Sequence, residues 1–371
     1  MFNLHLSPEQ LEIRDTVRDF VAREVKPVAL APARLEAFEK PLLAELLAQA
    51  SRLGLRTLAL SEAAGGAGAD NLTCCIVTEE LAVGDPDIAA VLAQTAMLGR
   101  LFERLMPLAQ RNRFLPEFLG DDRYHLAFAE REPGSETALG AHYHRPAVMG
   151  LGFRTSAVRA GDKWIINGAK ECVANAPVAK LFAVQASTAG GVSTLLVPRD
   201  TAGLSARAQE GHWFHGSYGE VAFENCRVPV DSLLGVEGRS PLAEGPDAKG
   251  RGSPQFQALN LGIGRAAYEA ALAYAHLRVQ GGRRIVEHQA IGAKLAGIAI
   301  RLEVARAAVW RAAWASDHPE AIADRSLPDL PLQKYVQDAR VCLHSGEGSA
   351  DAKLRLAEIL AGYRRPAKTG T

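Results

Sequence analysis

Two amphipathic segments, one on each side of Gly281-Gly282, constrain the fold of this chain most strongly. In the first segment, residues recur at spacings of three and four: Leu259, Ile263, Ala266, Ala270, Tyr274 and Leu277. In the second, a four-three alternation runs through Ile291, Leu295, Ile298, Leu302, Ala305 and Val309. Each set lies on one face of an α-helix, and such a face is stable only when another element covers it. We expect two long helices of a bundle, the first capped by Ser253, with the Ile291–Val309 face mostly buried.

Composition excludes several classes of protein. The chain has 371 residues, enough for two or three domains, and its 42 basic and 42 acidic residues cancel. Because no basic field or acidic tail is present, a nucleic-acid partner is not expected. The sequence lacks a run of about 18 apolar residues and opens on a polar helix, so we expect no membrane segment and a cytoplasmic location. The five cysteines lack metal-ligand spacing and predict reduced thiols.

Helical patterns dominate the first part of the chain. Ser7 and Gln10 form a capping box, which predicts a helix that ends at Lys26-Pro27. Further helices are predicted over residues 41–53, 72–83, 88–105 and 107–119. The glycine-rich loop 61–68 has neither the preceding strand nor the Gly-Lys-Ser/Thr of a phosphate-binding loop. Residues 1–122 are therefore expected to form an all-helical domain.

From about Tyr124 the pattern becomes that of short strands. We expect strands over residues 125–129, 155–160, 163–166, 181–185, 193–197 and 220–223. Gly161-Asp162 predicts a tight hairpin. Residues 123–238 are thus expected to form a β-domain. The glycine- and proline-rich stretch 239–252 then leads back into helix, and we expect the last domain to span 239–371.

Several motifs closely resemble the acyl-CoA dehydrogenase family. The C-terminal helical domain of that family is matched by Leu261-Gly262-Ile263-Gly264-Arg265, Tyr274, Arg278, Gly282 and Gln289. Its exit from the β-domain is matched by residues 223–229, and its N-terminal Gly-Gly-x-Gly turn by the loop 61–68. The resemblance implies an α+β fold with an N-terminal helical domain, a middle β-barrel or sandwich and a C-terminal helical bundle.

The resemblance also implies a reaction, the α,β-dehydrogenation of an acyl-CoA thioester. In the family a carboxylate removes the proton next to the thioester carbonyl, and FAD takes hydride from the β-carbon. A carboxylate is a competent base there only if burial raises its pKa. The family relationship further implies a homo- or hetero-tetramer with a homologue, and electron-transfer flavoprotein as the electron acceptor.

The candidate base is Glu347. Residues 331–341 resemble the segment that precedes the family's base, and Glu347-Gly348-Ser349 follows it. Counted without gaps, the base position falls on Gly346, one residue earlier. The family's alternative base position corresponds to Gly252 and carries no acid. Glu347 is therefore the one motif-supported base, with an ordinary loop residue as the alternative.

The cofactor motifs depart from the family pattern at several positions. By resemblance the cofactor-binding residues are Arg131, Ser135, Cys172, Val173, Ala174, Arg278, Gly282 and Gln289, and Ser135 also reaches substrate. Arg131 and Ala174 replace threonines, Cys172 replaces the tryptophan over the flavin ring, and Gly281 replaces a phenylalanine. Each lost polar contact removes about 1 kcal/mol, and about 1.4 kcal/mol is a tenfold change in affinity. A weakened FAD site is expected.

These departures leave three functional hypotheses. The chain is an FAD-dependent dehydrogenase, or a non-catalytic or half-site subunit whose flavin site a partner chain completes, or an enzyme of other chemistry on the same scaffold. Arg131 is either a surface or salt-bridged residue or a cation near substrate. His212 and His215 belong to a β-domain loop or to a metal site, although no third ligand stands at suitable spacing.

Overall fold

The computed structural model describes residues 4–35, 41–133, 153–208, 217–242 and 253–318. The described residues up to Gly120 contain seven α-helices: α1 Pro8–Phe20, α2 Lys26–Ala29, α3 Pro32–Leu35, α4 Ala44–Arg52, α5 Asn71–Gly84, α6 Pro86–Leu105 and α7 Leu108–Gly120. The predicted capping box is confirmed, since the Gln10 amide donates to Ser7 Oγ at 3.2 Å and the Ser7 amide donates to Gln10 Oε1 at 3.1 Å. None of the described helices is both long and apolar enough to span a membrane.

The expected end of the first helix at Lys26-Pro27 is wrong. A π-helical segment, Val21–Val25, joins α1 directly to α2. Pro27 is the second residue of α2, which directly follows the π-helical segment, a kind of helix irregularity that is common where a proline interrupts the hydrogen bonding. The chain therefore stays helical as far as Ala29.

Helix α5 forms the centre of the helical region. All its residues from Leu72 to Val83 are buried, because α1, α6 and two later helices pack around it. Its amino terminus is capped by Asp70, whose carboxylate accepts from the Thr73 amide at 2.7 Å. The buried residues include two adjacent acids, Glu79 and Glu80, which face basic side chains.

Eight strands form one sheet: β1 His125–Ala129, β2 Ser156–Ala160, β3 Lys163–Ala174, β4 Ala179–Thr188, β5 Gly191–Pro198, β6 Leu204–Ala208, β7 Tyr218–Pro229 and β8 Leu233–Leu234. The strand order is β6-β7-β3-β2-β4-β5-β8, and β1 pairs parallel to β4. The hairpin at Gly161-Asp162 is confirmed: Ala160 pairs with Lys163, and Gly161 has φ +63°.

The predicted strand 163–166 is too short, because β3 continues through Asn167–Lys170 to Ala174. The pairing of β3 with β7 shifts register between Ile166 and Gly168, which is a β-bulge. Gly168 has φ +141°, and a Cβ there would lie 2.6 Å from the Thr155 Cα, so the bulge requires glycine. Asn167 Oδ1 accepts from the Asn225 amide at 2.8 Å and holds the bulge closed.

The two segments that flank Gly281-Gly282 are helical as expected. Helix α8, Pro254–Leu277, begins at Ser253, whose Oγ accepts from the Phe256 amide at 3.2 Å. A hairpin of β9 Val279–Gln280 and β10 Arg283–Arg284 leads to α9, Gln289–Asp317. Helix α8 packs on α5, α6 and α9, and α9 also packs on α5.

The expected burial of the two helical faces is only partly correct. On α8, Leu259 is fully buried, but Tyr274 and Leu277 are 58% and 80% exposed. On α9, Leu295 is the one buried member of the Ile291–Val309 face, and Ala305 is exposed. The physical reason is geometric: α5 covers only the first part of α8 and one side of α9. Within the described ranges, most of the carboxyl-terminal half of α8 remains on the surface, and Ala275 is its one buried residue.

Candidate functional site

The end of β3 carries three of the predicted cofactor-binding residues, Cys172, Val173 and Ala174. The pairing of β3 with β7 shifts register again between Lys170 and Val173, so Glu171 and Cys172 stand outside the ladder. Cys172 has φ +51°, a left-handed conformation that is uncommon for a residue with a side chain. Val173 is buried, whereas Cys172 and Ala174 are half-buried. The bulge therefore turns the Cys172 backbone away from the sheet.

Asn175, the next residue, fixes the position of this strand end. Its Nδ2 donates to the carbonyls of Val91 and Leu126, both at 3.0 Å, and to Thr95 Oγ1 at 3.2 Å. The Asn175 side chain is 1% exposed, and its backbone has φ +66°. One amide group thus joins β3 to α6 and β1. Sequence reasoning assigned Asn175 no role, although the Asn of the family's Trp-Ile-Thr-Asn motif was the available signal.

A buried ion pair holds the loop on the other side of the bulge. Lys170 Nζ lies 3.1 Å from Glu132 Oε1, donates to the Glu130 carbonyl at 3.0 Å and sits 4.0 Å from the centre of the Phe153 ring. Burial lowers the pKa of Lys170 to about 8, although the Glu132 charge opposes this shift. Because Glu132 precedes Pro133 at the start of the candidate cofactor loop, the pair fixes where that loop begins.

Glu132 is itself held by backbone amides. Its Oε1 accepts from the Thr155 amide at 2.7 Å, and its Oε2 accepts from the Arg154 amide at 2.8 Å. Burial raises the pKa of Glu132, but these amides and the Lys170 charge outweigh burial and the net pKa is lowered. The carboxylate is therefore ionised at neutral pH. It acts as a structural anchor, since it is held by the Thr155 and Arg154 amides and by Lys170.

Arg131 forms an ion pair with Glu171, with Arg131 Nε 3.1 Å from Glu171 Oε1. The Glu171 amide also donates to the Arg131 carbonyl at 2.9 Å. Of the two alternatives for Arg131, a salt-bridged residue or a cation near the substrate, this ion pair agrees with the first. The pair spans the bulge at Cys172 and sets the edge of the candidate cofactor surface.

The hairpin after α8 presents the other cofactor candidates. Arg278, Gly282 and Gln289 are all exposed, and Gly281 and Gly282 have φ +61° and +80° in the turn. The Ile285 amide donates to the Arg278 carbonyl at 2.8 Å, and Arg283 pairs with Gln280. Since side chains alternate along a strand, Arg278 and Arg283 lie on the same face of the hairpin. Within the described part of the chain, no hydrogen bond joins this hairpin to the end of β3.

A small cavity of about 30 Å³ opens beside Ala174. Its walls come from α6, the end of β3, the start of β7 and the first turns of α8. The lining residues are Ala90, Ala93, Gln94, Met97, Ala174, Asn175, Ser217, Tyr218, Ser253, Gln255, Phe256 and Leu259. The cavity therefore adjoins Ala174, one of the predicted cofactor-binding residues.

A larger cleft of about 680 Å³ lies between α1, α5, α8 and α9 and is lined by an ion network. Glu79 Oε1 lies 2.9 Å from Arg265 Nη1 and 2.8 Å from Arg306 Nη2. Glu80 bridges Arg265 and Arg18, at 2.5 Å and 2.8 Å. Burial raises the pKa of Glu80, but the two arginines outweigh it and the net pKa is lowered. With Glu269, Glu303 and Arg14 included, four acids and four arginines line the cleft, and their ion pairs tie the four helices together.

Several predicted site residues lie outside the described residues. These are Glu347 with the segment 331–341, Ser135, Gly252, Gly346, His212 and His215. Among the residues that the structure describes, no three His, Cys, Asp or Glu side chains gather as a metal site would require. The four described cysteines, Cys74, Cys75, Cys172 and Cys226, are free thiols.

Comparison with known proteins identifies the class. Three family profiles match in succession: acyl-CoA dehydrogenase, N-terminal domain, over residues 7–122; middle domain over 127–226; and C-terminal domain over 254–342. An acyl-CoA dehydrogenase of Bacillus subtilis is 31% identical to the chain, covering 84% of it and 79% of that protein. The isobutyryl-CoA dehydrogenase of Dictyostelium discoideum is 27% identical, covering 95% and 88%.

A solved structure shows the same architecture. The crystal structure of a glutaryl-CoA dehydrogenase from Mycobacterium smegmatis in complex with FADH2 matches with a TM-score of 0.70 and 25% identity, over 84% of this chain and 77% of that chain. The chain belongs to the acyl-CoA dehydrogenase family. Its expected α+β fold, with helices before and after a sheet, is confirmed. It is an enzyme of the FAD-dependent acyl-CoA dehydrogenase type, with FAD as cofactor.

The residues present fit a flavin nucleotide that is held by ion pairs to its diphosphate and by hydrogen bonds from the protein backbone to its ring. Arg278 and Arg283 offer two exposed guanidinium groups on one face, which suits a diphosphate. At the end of β3, Cys172 lies outside the sheet ladder, and its backbone could meet the edge of a flavin ring, whereas the Glu171 amide is taken by the Arg131 carbonyl. Cys172 and Ala174 provide neither an aromatic face nor a hydroxyl.

Proposed function

We propose that this chain catalyses the α,β-dehydrogenation of an acyl-CoA thioester, with Glu347 as the base that removes the α-proton and FAD as the acceptor of hydride from the β-carbon. The observation that carries the proposal is the cavity beside Ala174. It connects the strand end that matches the flavin-ring motif with α6 and the start of α8. A reacting acyl group in this cavity lies next to the motif that faces the flavin.

The chain's own residues have distinct roles in this proposal. The backbone at Cys172–Ala174 borders the flavin ring, and Asn175 holds that backbone against α6 and β1. Arg278, Gly282 and Gln289 hold the diphosphate end of a cofactor, with Arg131 and Ser135 at the border of the substrate and ring. A bound flavin supplies the electron sink for hydride. Glu347 becomes an effective base where the acyl chain excludes water from it, since desolvation raises a carboxylate pKa.

The proposed FAD site is weak in a single chain. Cys172 and Ala174 remove stacking and a hydroxyl contact, and Arg131 is engaged by Glu171. The exposed Arg278 hairpin shares no hydrogen bond with the end of β3 in the described part of the chain. We therefore propose that the hairpin of one chain holds the cofactor of another, within a homo- or hetero-tetramer. Electron-transfer flavoprotein is the proposed acceptor, and the cytoplasm the proposed location.

The substitution Glu347→Gln tests the base. It removes the proton acceptor but keeps a nearly isosteric side chain, so thioester binding should persist. We expect the rate at which acyl-CoA reduces bound flavin to fall by roughly 10²–10⁴, the range attributed to a positioned base. Melting temperature serves as the folding control. An unchanged reduction rate in the variant would remove Glu347 from the mechanism.

The second candidate function is a half-site subunit of a heteromeric dehydrogenase. The observation that favours it is the exposure of Arg278, Gly282 and Gln289, which leaves them available to a partner chain. The two candidate functions are distinguished by measuring the FAD content of the chain purified alone and of the chain purified with a co-expressed homologue. Stoichiometric FAD in the chain alone favours the first function. FAD that appears only with the partner favours the second.

The domain boundaries also remain a proposal. We assign residues 1–122 to the N-terminal helical domain, 123–238 to the middle β-domain and 239–371 to the C-terminal helical bundle. Limited proteolysis should cut first in the stretch 239–252, whose composition is that of a linker.

A further inference from the structure

The ion pair of Arg131 and Glu171 lies beside the backbone that is expected to meet the flavin ring. The Glu171 amide donates to the Arg131 carbonyl at 2.9 Å, so Arg131 is held next to the residue that precedes Cys172. Cys172 itself stands outside the sheet ladder, with φ +51°. A group that approaches the Cys172 backbone therefore comes close to both charged side chains.

Glu171 holds the Arg131 guanidinium by one edge only. Arg131 Nε donates to Glu171 Oε1 at 3.1 Å. Neither Nη1 nor Nη2 of Arg131 donates a hydrogen bond to another residue that the structure describes. A guanidinium presents its terminal donors in a fixed plane. Among the described residues, both terminal nitrogens of Arg131 thus remain available to a bound group.

Water only partly screens this pair. The Arg131 and Glu171 side chains are 30% and 21% exposed. A charge in such a site acts more strongly on its neighbours than a charge in bulk water, because the surrounding dielectric constant is lower. The adjacent cation, Lys170, is fully buried against Glu132, so its charge is already paired inside the protein.

On the basis of the proposed function, we infer that Arg131 contacts the flavin ring and stabilises its reduced, anionic form, and that Glu171 limits this effect. Hydride brings two electrons and one proton, so the ring that accepts it carries one negative charge until a further proton binds. A fixed cation beside the ring stabilises that charge as it develops. The carboxylate of Glu171 opposes the cation, so the pair sets how readily the flavin is reduced.

The midpoint potential of FAD in the purified holoprotein tests this inference without any substrate. Arg131→Gln removes the positive charge and should lower the potential, whereas Glu171→Gln removes the opposing charge and should raise it. We expect each shift to correspond to at least about a tenfold change in the reduction equilibrium, or about 30 mV for a two-electron couple. Either substitution breaks the ion pair, so a purely structural role would move the potential in the same direction in both variants.

Sulfite provides a second measurement of the same charge. Its sulfur donates an electron pair to N5 of the oxidised ring, and the negative charge then lies on the ring. The dissociation constant of sulfite, followed by the loss of flavin absorbance, should rise at least about tenfold in Arg131→Gln and fall in Glu171→Gln. If Arg131→Gln does not retain FAD, Glu171→Gln decides alone: a raised potential supports the inference, and an unchanged or lowered one overturns it.

Arg159→Gln is the matched control for the loss of an arginine. Arg159 is exposed and pairs with Trp164, near the opposite end of β3 from Cys172. That separation is roughly 25 Å at the usual rise of a strand. Because exposed charges are screened over about 10 Å, the control should keep the wild-type potential and the wild-type affinity for sulfite.

Reduction of the bound flavin by a panel of straight, branched and dicarboxylic acyl-CoA thioesters separates this inference from the proposed function. If a thioester reduces the wild type but the two variants shift the potential in the same direction or not at all, the inference alone is overturned. Opposite shifts in a holoprotein that no thioester reduces overturn the proposed reaction alone. If the chain takes up no FAD, either by itself or with a co-expressed homologue, both are overturned.

Discussion

Gly262→Ala and Gly297→Ala should change the stability of this protein in opposite directions. Alanine is favoured over glycine in a helix interior by about 0.8–1.0 kcal/mol, because glycine loses more backbone entropy on folding. At Gly297, in α9, nothing lies within 4 Å of the position that a Cβ would occupy. The full preference applies there, so Gly297→Ala should raise the free energy of unfolding by about 1 kcal/mol.

At Gly262, in α8, the same methyl group has no space. Its Cβ would lie 2.4 Å from the Glu79 carbonyl oxygen and 2.7 Å from the Ala82 Cβ of α5, whereas ordinary contact begins at 3.4 Å. The two helices would have to separate by roughly 1 Å, and overpacking of this kind costs about 1–3 kcal/mol. Since this exceeds the helix preference of about 1 kcal/mol, Gly262→Ala should lower the free energy of unfolding by up to about 2 kcal/mol.

Urea unfolding followed by tryptophan fluorescence measures both effects. Trp310 on α9 packs against the cluster that contains Ile76 and Ala258, so its emission reports on the contact between α5 and α8. A lower midpoint for Gly262→Ala and a higher one for Gly297→Ala, at unchanged slope, is the expected result. If both variants shift the midpoint in the same direction, close packing of α5 on α8 does not explain the glycine at 262.

Two further predictions concern buried charges. Glu80→Gln should destabilise the protein by about 3 kcal/mol at pH 7, because Arg18 and Arg265 lose a buried partner; Glu12→Gln, at an exposed position of α1, is the control. The lowered pKa of Glu80 means that its stabilisation is present above the ordinary glutamate value of about 4.3 and is lost as the pH falls through the folded value, so an undiminished effect at pH 3 would contradict the network. Burial lowers the pKa of Lys170 to about 8, from an ordinary value of 10.5. Between these two pH values the unfolded state binds more protons than the folded state. Lys170 therefore makes the free energy of unfolding rise with pH in this range. Lys170→Met should lack that rise relative to wild type and to the exposed control Lys163→Met in thermal melts from pH 7 to pH 10, and identical profiles would refute it.

Much of the fold was predictable because its signals are local. Ser7, Ser253 and Gly161 act within a few residues of themselves, as caps and as a turn, and all three form as expected. The strand β1 begins and ends at the predicted residues. The extent of β3 was not predictable, because its bulges at Gly168 and Cys172 depend on pairing with β7, which lies about 50 residues away.

The anchors of the candidate site were missed for the same reason. Lys170 and Glu132 are separated by 38 residues, and Asn175 reaches residues 84 and 49 positions away. From the sequence alone, each is an ordinary polar residue, because its partners come close only when the sheet forms. The predicted burial of α8 and α9 was only partly correct for a different reason. Periodicity shows that one face of a helix is apolar, but it does not show which element covers that face. An oligomer that covers Tyr274 and Leu277 is our expectation.

The difference between preserved and altered motif residues follows from what each residue contacts. Asn175, Lys170 and Gly262 are buried against protein, so a replacement there leaves polar groups unpaired or forces helices apart. Cys172 and Gly281, which by resemblance stand where the family has aromatic residues, are at least partly exposed in the single chain, and the fold does not need an aromatic side chain at such positions. In this chain, sequence resemblance therefore predicts the fold more strongly than it predicts the contacts to a cofactor. The strength of FAD binding, measured on the purified chain with and without a partner, is consequently the property that the sequence constrains least.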